Sequence, residues 1–470
     1  MKNKHIKYAA MLLAVSSFLY PISGIEAASL SLQDAVDMAM EHNISIKIAQ
    51  QGEVTSRAIL KAARGENSPS FSLSGSLSTS KNNDNPRGGS GNGTFSVKMP
   101  VYNGGKNAAN IDSGSLEVQS SILKTYREME DVKLMVIKAY YDVLESQKRV
   151  NVNKESVENY KAHLTNVQQL YSAGRKAKID VLRSSVELAN AKQTLIKAQN
   201  TYETNVCTLK NVLYMSPNEP LTLTEDFSYK EFKPDLQNCV NYALSNRKDL
   251  TIDNNIIQQK ELAIKMANAG FLPTISVTAS TNGAHDFIPN KDDSHGFSAG
   301  LNASWNIFDN GVTQASVDRA KAARDIAVLS LEQDKNNIDL AVRKAYYNMR
   351  EAEKRFASTQ AAVGQAEEDY FIAREKYRAG EGLMLDIIDA QLALSTARLN
   401  HISAQYDYVR YKATVENELG LGINENIETA LPVTVSASNK ELIKADTEAA
   451  KHLLPERVLP DADFAVLNTH

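Results

Sequence analysis

The chain has little to cross-link with: two cysteines, Cys207 and Cys239, in 470 residues. That count excludes a disulfide framework of the small secreted type and a cysteine-rich metal cluster. In an oxidising compartment the two can pair, and two ordinary buried thiols are the simpler expectation. One Trp and 12 prolines leave few breakers, which favours long helices over many loops. No run approaches the ~20 consecutive apolar residues of a membrane-crossing helix. Lys and Arg total 52 against 56 Asp and Glu, a net charge of −4, so the basic footprint of a nucleic-acid binder is missing. The histidines after the leader region (His42, His163, His285, His295, His401, His452 and His470) show no His-x-x-x-His or Cys–His ligand spacing. His285, Asp286, Asp292, Asp293 and His295 crowd one stretch, where a solvated polar loop is the default reading. "GSGNG" at Gly89 lacks the Lys and the helix of a phosphate loop. No catalytic constellation emerges, so no enzyme, cofactor or metal is expected. An exported enzyme, the rival class, would need a pocket of convergent titratable groups.

What is present begins with a basic head, a short apolar run from about Tyr8 to Tyr20, and "SGIEAAS". That order describes a secretory signal peptide over residues 1–28. The rest is written twice. "KAYYDVLES" at Lys138 returns as "KAYYNMREA" at Lys344, and "LYSAGRKAKIDVL" at Leu170 returns as "KYRAGEGLMLDII" at Lys376, both offset by 206. "LQDAVDMAM" at Leu32 returns as "LQNCVNYAL" at Leu236, offset by 204. The chain thus divides into a first repeat, 29–215, a connector, 216–234, a second repeat, 235–421, and a tail, 422–470.

Each repeat reads as a helix (about Leu32 to Arg64; about Leu236 to Ala269), two strands, a very long helix (about Asn107 to Ser172; about Thr313 to Arg378) and a returning helix. The long helices carry a seam at spacings of three, four and seven: Val132, Val136, Ala139, Val143, Val150, Val157, Tyr160 and onward to Tyr171. The second copy keeps that register from Ile338 to Tyr377. This is coiled-coil packing, and each such helix spans roughly 100 Å. An ordinary helical hairpin core explains the seam but not the length.

The strands alternate. "FSAGLNASWNI" at Phe297, "SFSLSGSLS" at Ser70, "FSVKMPV" at Phe95 and "TISVTAS" at Thr274 place apolar residues on one face and mostly small or polar residues on the other. Four strands cannot close, and open edges in lipid leave backbone groups unpaired. If several chains each donate four, a barrel forms with apolar outside and polar lumen; three chains give about twelve strands. A four-stranded sheet packed on its own helices is the bland alternative.

The signal peptide, "LQDAVDMAMEHN", "FLPTISVTAS", "NIFDNG", "YSAGRKAKIDVLRS" and "YRAGEGLMLDIIDAQLAL", in this order and in both halves, resemble the TolC-type outer-membrane efflux proteins. The resemblance runs from about Leu32 to Leu421. It implies a mainly α chain with a transmembrane β-barrel: a homotrimer sharing about twelve strands above a periplasmic α-helical coiled-coil barrel. Implied with it are an outer-membrane location and an exit duct for efflux or type I secretion. The implied partners are a periplasmic adaptor, an inner-membrane transporter and outer-membrane lipid. A secreted trimeric coiled-coil scaffold or adhesin without transport is the alternative. The tail is expected to be a loosely ordered periplasmic segment.

Asp386 and Asp389 are three apart and share a helix face. The resemblance makes them an acidic ring at the periplasmic mouth, where a trimer converges six carboxylates and attracts cations. The bland reading is that both favour a helix N-terminus. Tyr377 matches the family's constriction tyrosine and Asp180 the acid it bonds. The family's latching arginine is replaced by Gly382. Arg175, Lys176 and Lys178 stand on the first turn instead, and Arg175 or Lys178 is expected to reach Glu381 or Asp386.

Overall fold

The computed structural model describes residues 28–80, 88–288, 292–425 and 427–431. Residues 1–27 of the expected signal peptide, the distal tail and the tips of both strand loops lie outside the described residues. In the first repeat, β1 (Ala28–Leu30) leads into α1 (Leu32–His42) and α2 (Ile44–Glu66). Then come β2 (Ser70–Ser80), β3 (Gly88–Tyr102), α3 (Lys106–Ser172) and α4 (Lys178–Leu213). The connector holds β4 (Leu221–Leu223), which pairs in parallel with β1. The second repeat follows as α5 (Leu236–Asn246), α6 (Lys248–Asn268), β5 (Thr274–Ile288), β6 (Asp293–Ser304), α7 (Val312–Ala379) and α8 (Met384–Glu418). A last turn, α9, covers Ile427–Ala430.

Helix starts reproduce the two offsets: 204 for α1/α5 and α2/α6, 206 for α3/α7 and α4/α8. One expectation fails. The first helix of each repeat is two helices, broken at a single residue. Asn43 takes ψ 129, and its N–H donates to the Ala39 carbonyl while its side chain accepts from Ser45 N–H. It closes one helix and caps the next. Arg247 takes the same backbone in the second repeat, with its guanidinium buried against Asp249 and Glu418.

The long helices, 67 and 68 residues, reach ~100 Å at 1.5 Å per residue. The seam is buried from Val132 to Tyr160 and again at Val167 in α3, and from Ile338 to Met349 in α7. At the strand-to-helix corner of "NIFDNG", the Asp309 carboxylate accepts from the Gly311 and Thr313 N–H groups and starts α7. The connector is pinned rather than loose: Phe227 and Tyr229 pack on Phe356, Tyr406 and Tyr408. The start of the tail is also packed, with Ile427 buried and the Ile423 carbonyl accepting from Lys133 Nζ at 2.8 Å.

Around the molecule the order differs by layer. The sheet runs β2-β3-β5-β6, all antiparallel. Next to it lie α2, α3, α6 and α7 in that order; at the far end lie α4, α3, α8 and α7. Each layer has two outer members that pack on one neighbour only.

Candidate functional site

The sheet divides into two chemistries. One face carries Ser72–Ser96, Ser78–Ser90, Ser280–Ser298 and Asn302–Thr278 side-chain hydrogen bonds across strands. The other bares Phe71 at 69 % exposure, Leu77 at 81 % and Phe297 at 78 %. Leaving such a face in water costs about 25 cal/mol per Å² of apolar surface, whereas hydrocarbon removes that cost. Tyr102, Phe271, Trp305 and Phe308 are exposed where strands meet helices, a belt of the kind found at a membrane interface. Among the described residues no helix is long and apolar enough to cross a membrane. They contain no metal-ligating cluster either, and His285 Nδ1 is engaged with Asp293 at 2.6 Å. Both cysteines are free: Cys239 is buried, with its thiol pushed up to about 12 by burial, but Cys207 is exposed, against expectation.

At the other end the two helical hairpins are not equivalent. Tyr171 and Tyr377 hold the same place in the two repeats, yet Tyr171 is 45 % exposed and Tyr377 only 3 %. Tyr377 packs in a cluster with Val167, Met384, Ile387 and Ile388. Lys176 Nζ lies 4.7 Å from its ring centre and the His163 ring 5.4 Å from it. Both come from the first hairpin. Burial and then the charge of Asp180 push the Tyr377 phenol above its ordinary value. The expected Tyr377–Asp180 bond is not formed. Tyr377 Oη is buried without a hydrogen-bond partner, and the Asp180 carboxylate instead accepts from Ala177 N–H at 3.3 Å. Helix capping holds Asp180 there.

Asp386 and Asp389 are exposed. Asp386 also accepts from Leu383 N–H at 3.0 Å, so it starts α8 as well. Glu381, Arg175 and Lys178 are exposed, and no ion pair joins Arg175 or Lys178 to Glu381 or Asp386 within the chain. Of the basic turn it is Lys176 that lies against the second hairpin, over the Tyr377 ring. Gly382 stands in a crowded turn. A Cβ there would lie 2.9 Å from Tyr377 N and 3.2 Å from the Lys376 carbonyl carbon, so a side chain would force this turn to shift.

The hairpins meet along α3 and α8. Arg410 reaches Asp142 and Glu145, Arg398 bridges Glu155 and Glu367, and Asn159 donates to Gln391. His163 and Lys176 continue that line to the tip. Sequence reading missed His163 because it lacks a partner at ligand spacing; the only signal was a histidine beside the Tyr160–Leu164 seam.

A sheet with one bare apolar face, joined to a duplicated pair of ~100 Å hairpins, matches a known family. The outer membrane efflux protein family matches residues 35–213 and 239–421. The chain belongs to that family. A solvent efflux pump outer membrane protein, SrpC of Pseudomonas putida, is 23% identical over 406 residues, 82% of this chain and 84% of the relative. The outer membrane protein TolC of Escherichia coli strain K12 is 22% identical over 365 residues, 73% of this chain and 72% of TolC. The CmeC outer membrane channel of Campylobacter jejuni superposes with a TM-score of 0.75 at 18% identity, covering 95% of this chain and 98% of CmeC. As an outer membrane efflux protein the chain is a channel component of the outer membrane, not an enzyme.

Proposed function

We propose that three copies of this chain close into one continuous duct, twelve strands in the outer membrane and twelve helices across the periplasm. The observation that carries this reading is the set of open edges. β2 and β6 are both edge strands, and a membrane leaves no water for their free N–H and C=O groups. In the layer beside the sheet, α2 leaves Ile44, Ile48 and Ile59 exposed, and α7 leaves Ile326, Leu329 and Leu340 exposed. At the far end α4 leaves Ile179, Leu182 and Val186 exposed. The edges differ on the two sides, so copies join head to tail by rotation, and such contacts close into a ring. Three copies make a barrel wide enough for a water-filled lumen.

Residues 29–215 and 235–421 act as two structural repeats of that wall, joined by 216–234. At the mouth Asp386 and Asp389 form a ring of six carboxylates that draws cations. A duct supplies no energy, so a periplasmic adaptor and an inner-membrane transporter complete the pathway. The names of its relatives as efflux pump outer membrane proteins support that assignment.

Two measurements test the reading together. The unheated detergent complex should weigh three chains, and the purified protein should conduct in planar bilayers. A stable monomer with intact β content, or a folded trimer without conductance, overturns it.

A further inference from the structure

We propose that His163 and Lys176 are the positioning residues of the closed mouth: both press on the Tyr377 ring and so hold the second hairpin against the first. The proposal rests on the duct reading and adds to it a latch built from different side chains than an arginine or a Tyr–Asp bond. Three observations converge. Tyr377 is buried within the single chain, at the seam where the second hairpin meets the first. Two of the groups on its ring, His163 on α3 and Lys176 in the following turn, belong to the first hairpin. Within the chain Tyr377 Oη has no hydrogen-bond partner, and a side chain at Gly382 would have to displace the turn.

The contact is made for a neutral imidazole. His163 Nε2 is buried with no hydrogen-bond acceptor. Burial, then the Lys176 cation, hold the His163 ring below its ordinary value. The groups around it come from all four helices. Tyr377 lies on α7, Lys176 in the α3–α4 turn, and Asp180 on α4 acts on Tyr377. One turn up, Glu187 of α4, Tyr370 of α7 and Asp389 of α8 act on Tyr160. No carboxylate reaches Nε2 to receive a second proton's charge. The sign follows. A histidine whose value is lowered in the packed state binds protons more readily once released. The latch is therefore at full strength above the free imidazole value of about 6.5 and weakens as pH falls below it.

The test is resting conductance of the full-length protein in bilayers at pH 7.5 and pH 5. Wild type should pass several-fold more current at pH 5. His163→Phe keeps a ring against Tyr377 but cannot titrate, so its current should be low and should lose this response. His163→Gln, a second non-titrating variant, should lose it as well. Tyr377→Phe should behave as wild type, because the hydroxyl has no partner, while Tyr377→Ala should leak at both pH values. The carboxylate ring is intact in all of these, so its own titration cannot mimic the difference. A pH response retained in both His163 variants, or a wild-type current that falls in acid, overturns the latch. Channels absent from every protein at every pH would instead overturn the duct reading itself.

Discussion

Two glycines of one turn should fail for different reasons. Gly380 sits at φ +85 with nothing within 4 Å of a built Cβ. Its N–H donates to the Tyr377 carbonyl, and Glu381 N–H returns to the Lys376 carbonyl, the usual glycine-ended helix. There a side chain meets only the left-handed penalty of roughly 1–2 kcal/mol, less for Asn. Gly382 is the reverse: its backbone is ordinary, but a Cβ would sit 2.9 Å from Tyr377 N and 3.2 Å from Lys376 Cβ. Two of the three close atoms are backbone, so the turn itself must shift by a few tenths of an ångström, and overpacking of this kind costs about 1–3 kcal/mol. The atom displaced is the Tyr377 nitrogen, so the strain is delivered to the clamped ring. Gly380→Asn should therefore leave resting current and heat resistance of the complex near wild type. Gly382→Ala should raise resting current several-fold with only a small loss of heat resistance, and Gly382→Arg should do the same rather than restore a latch. A Gly382→Ala channel as quiet as wild type, beside a leaky Gly380→Asn channel, would refute the steric argument.

Asp386→Asn with Asp389→Asn should weaken cation preference and block by trivalent cations while the start of α8 survives, because an amide oxygen still accepts from Leu383 N–H; ion selectivity and far-ultraviolet dichroism read the two effects separately. Arg410 is largely buried and serves Asp142, Glu145 and Asp407 at 2.6–2.7 Å. At the joint of α3 and α8, Arg410→Gln strands Asp142 and leaves Glu145 and Asp407 with only Arg149 and Arg355. Because the carboxylates are only partly buried, the loss should fall below the roughly 3–5 kcal/mol of a fully buried pair. It should appear as lower heat resistance with ion selectivity unchanged.

Much of this molecule was legible in its sequence because the signals are periodic and repeated. The heptad seam from Val132 and its copy from Ile338 require long paired helices wherever they occur. Period-two stretches such as Ser70–Ser78 require strands with one greasy face, and the serines then pair across the sheet. What failed lacked a local signal. The apolar period runs on through Asn43 and Arg247, with no Gly or Pro to mark a break. Asn43 breaks the helix by capping the next one, and Arg247 does so in a setting fixed by Glu418, 171 residues away. β3 begins at Gly88 in a glycine run that reads as loop, because only its pairing with β2 and β5 makes it strand. Cys207 and Cys239 are alike in sequence and differ only in which helix face the fold covers.

The tip shows the division most sharply. Sequence alone determined that Tyr171 and Tyr377 stand at one heptad position and that acids follow each turn, since both follow from spacing along a single helix. Only the tertiary structure decided that Tyr377 is buried within the chain, that His163 and Lys176 lie on its ring, and that a side chain at Gly382 would strain the turn. Those outcomes depend on how far one hairpin slides along the other, and a sequence written twice carries the same period in both copies without stating their offset in space.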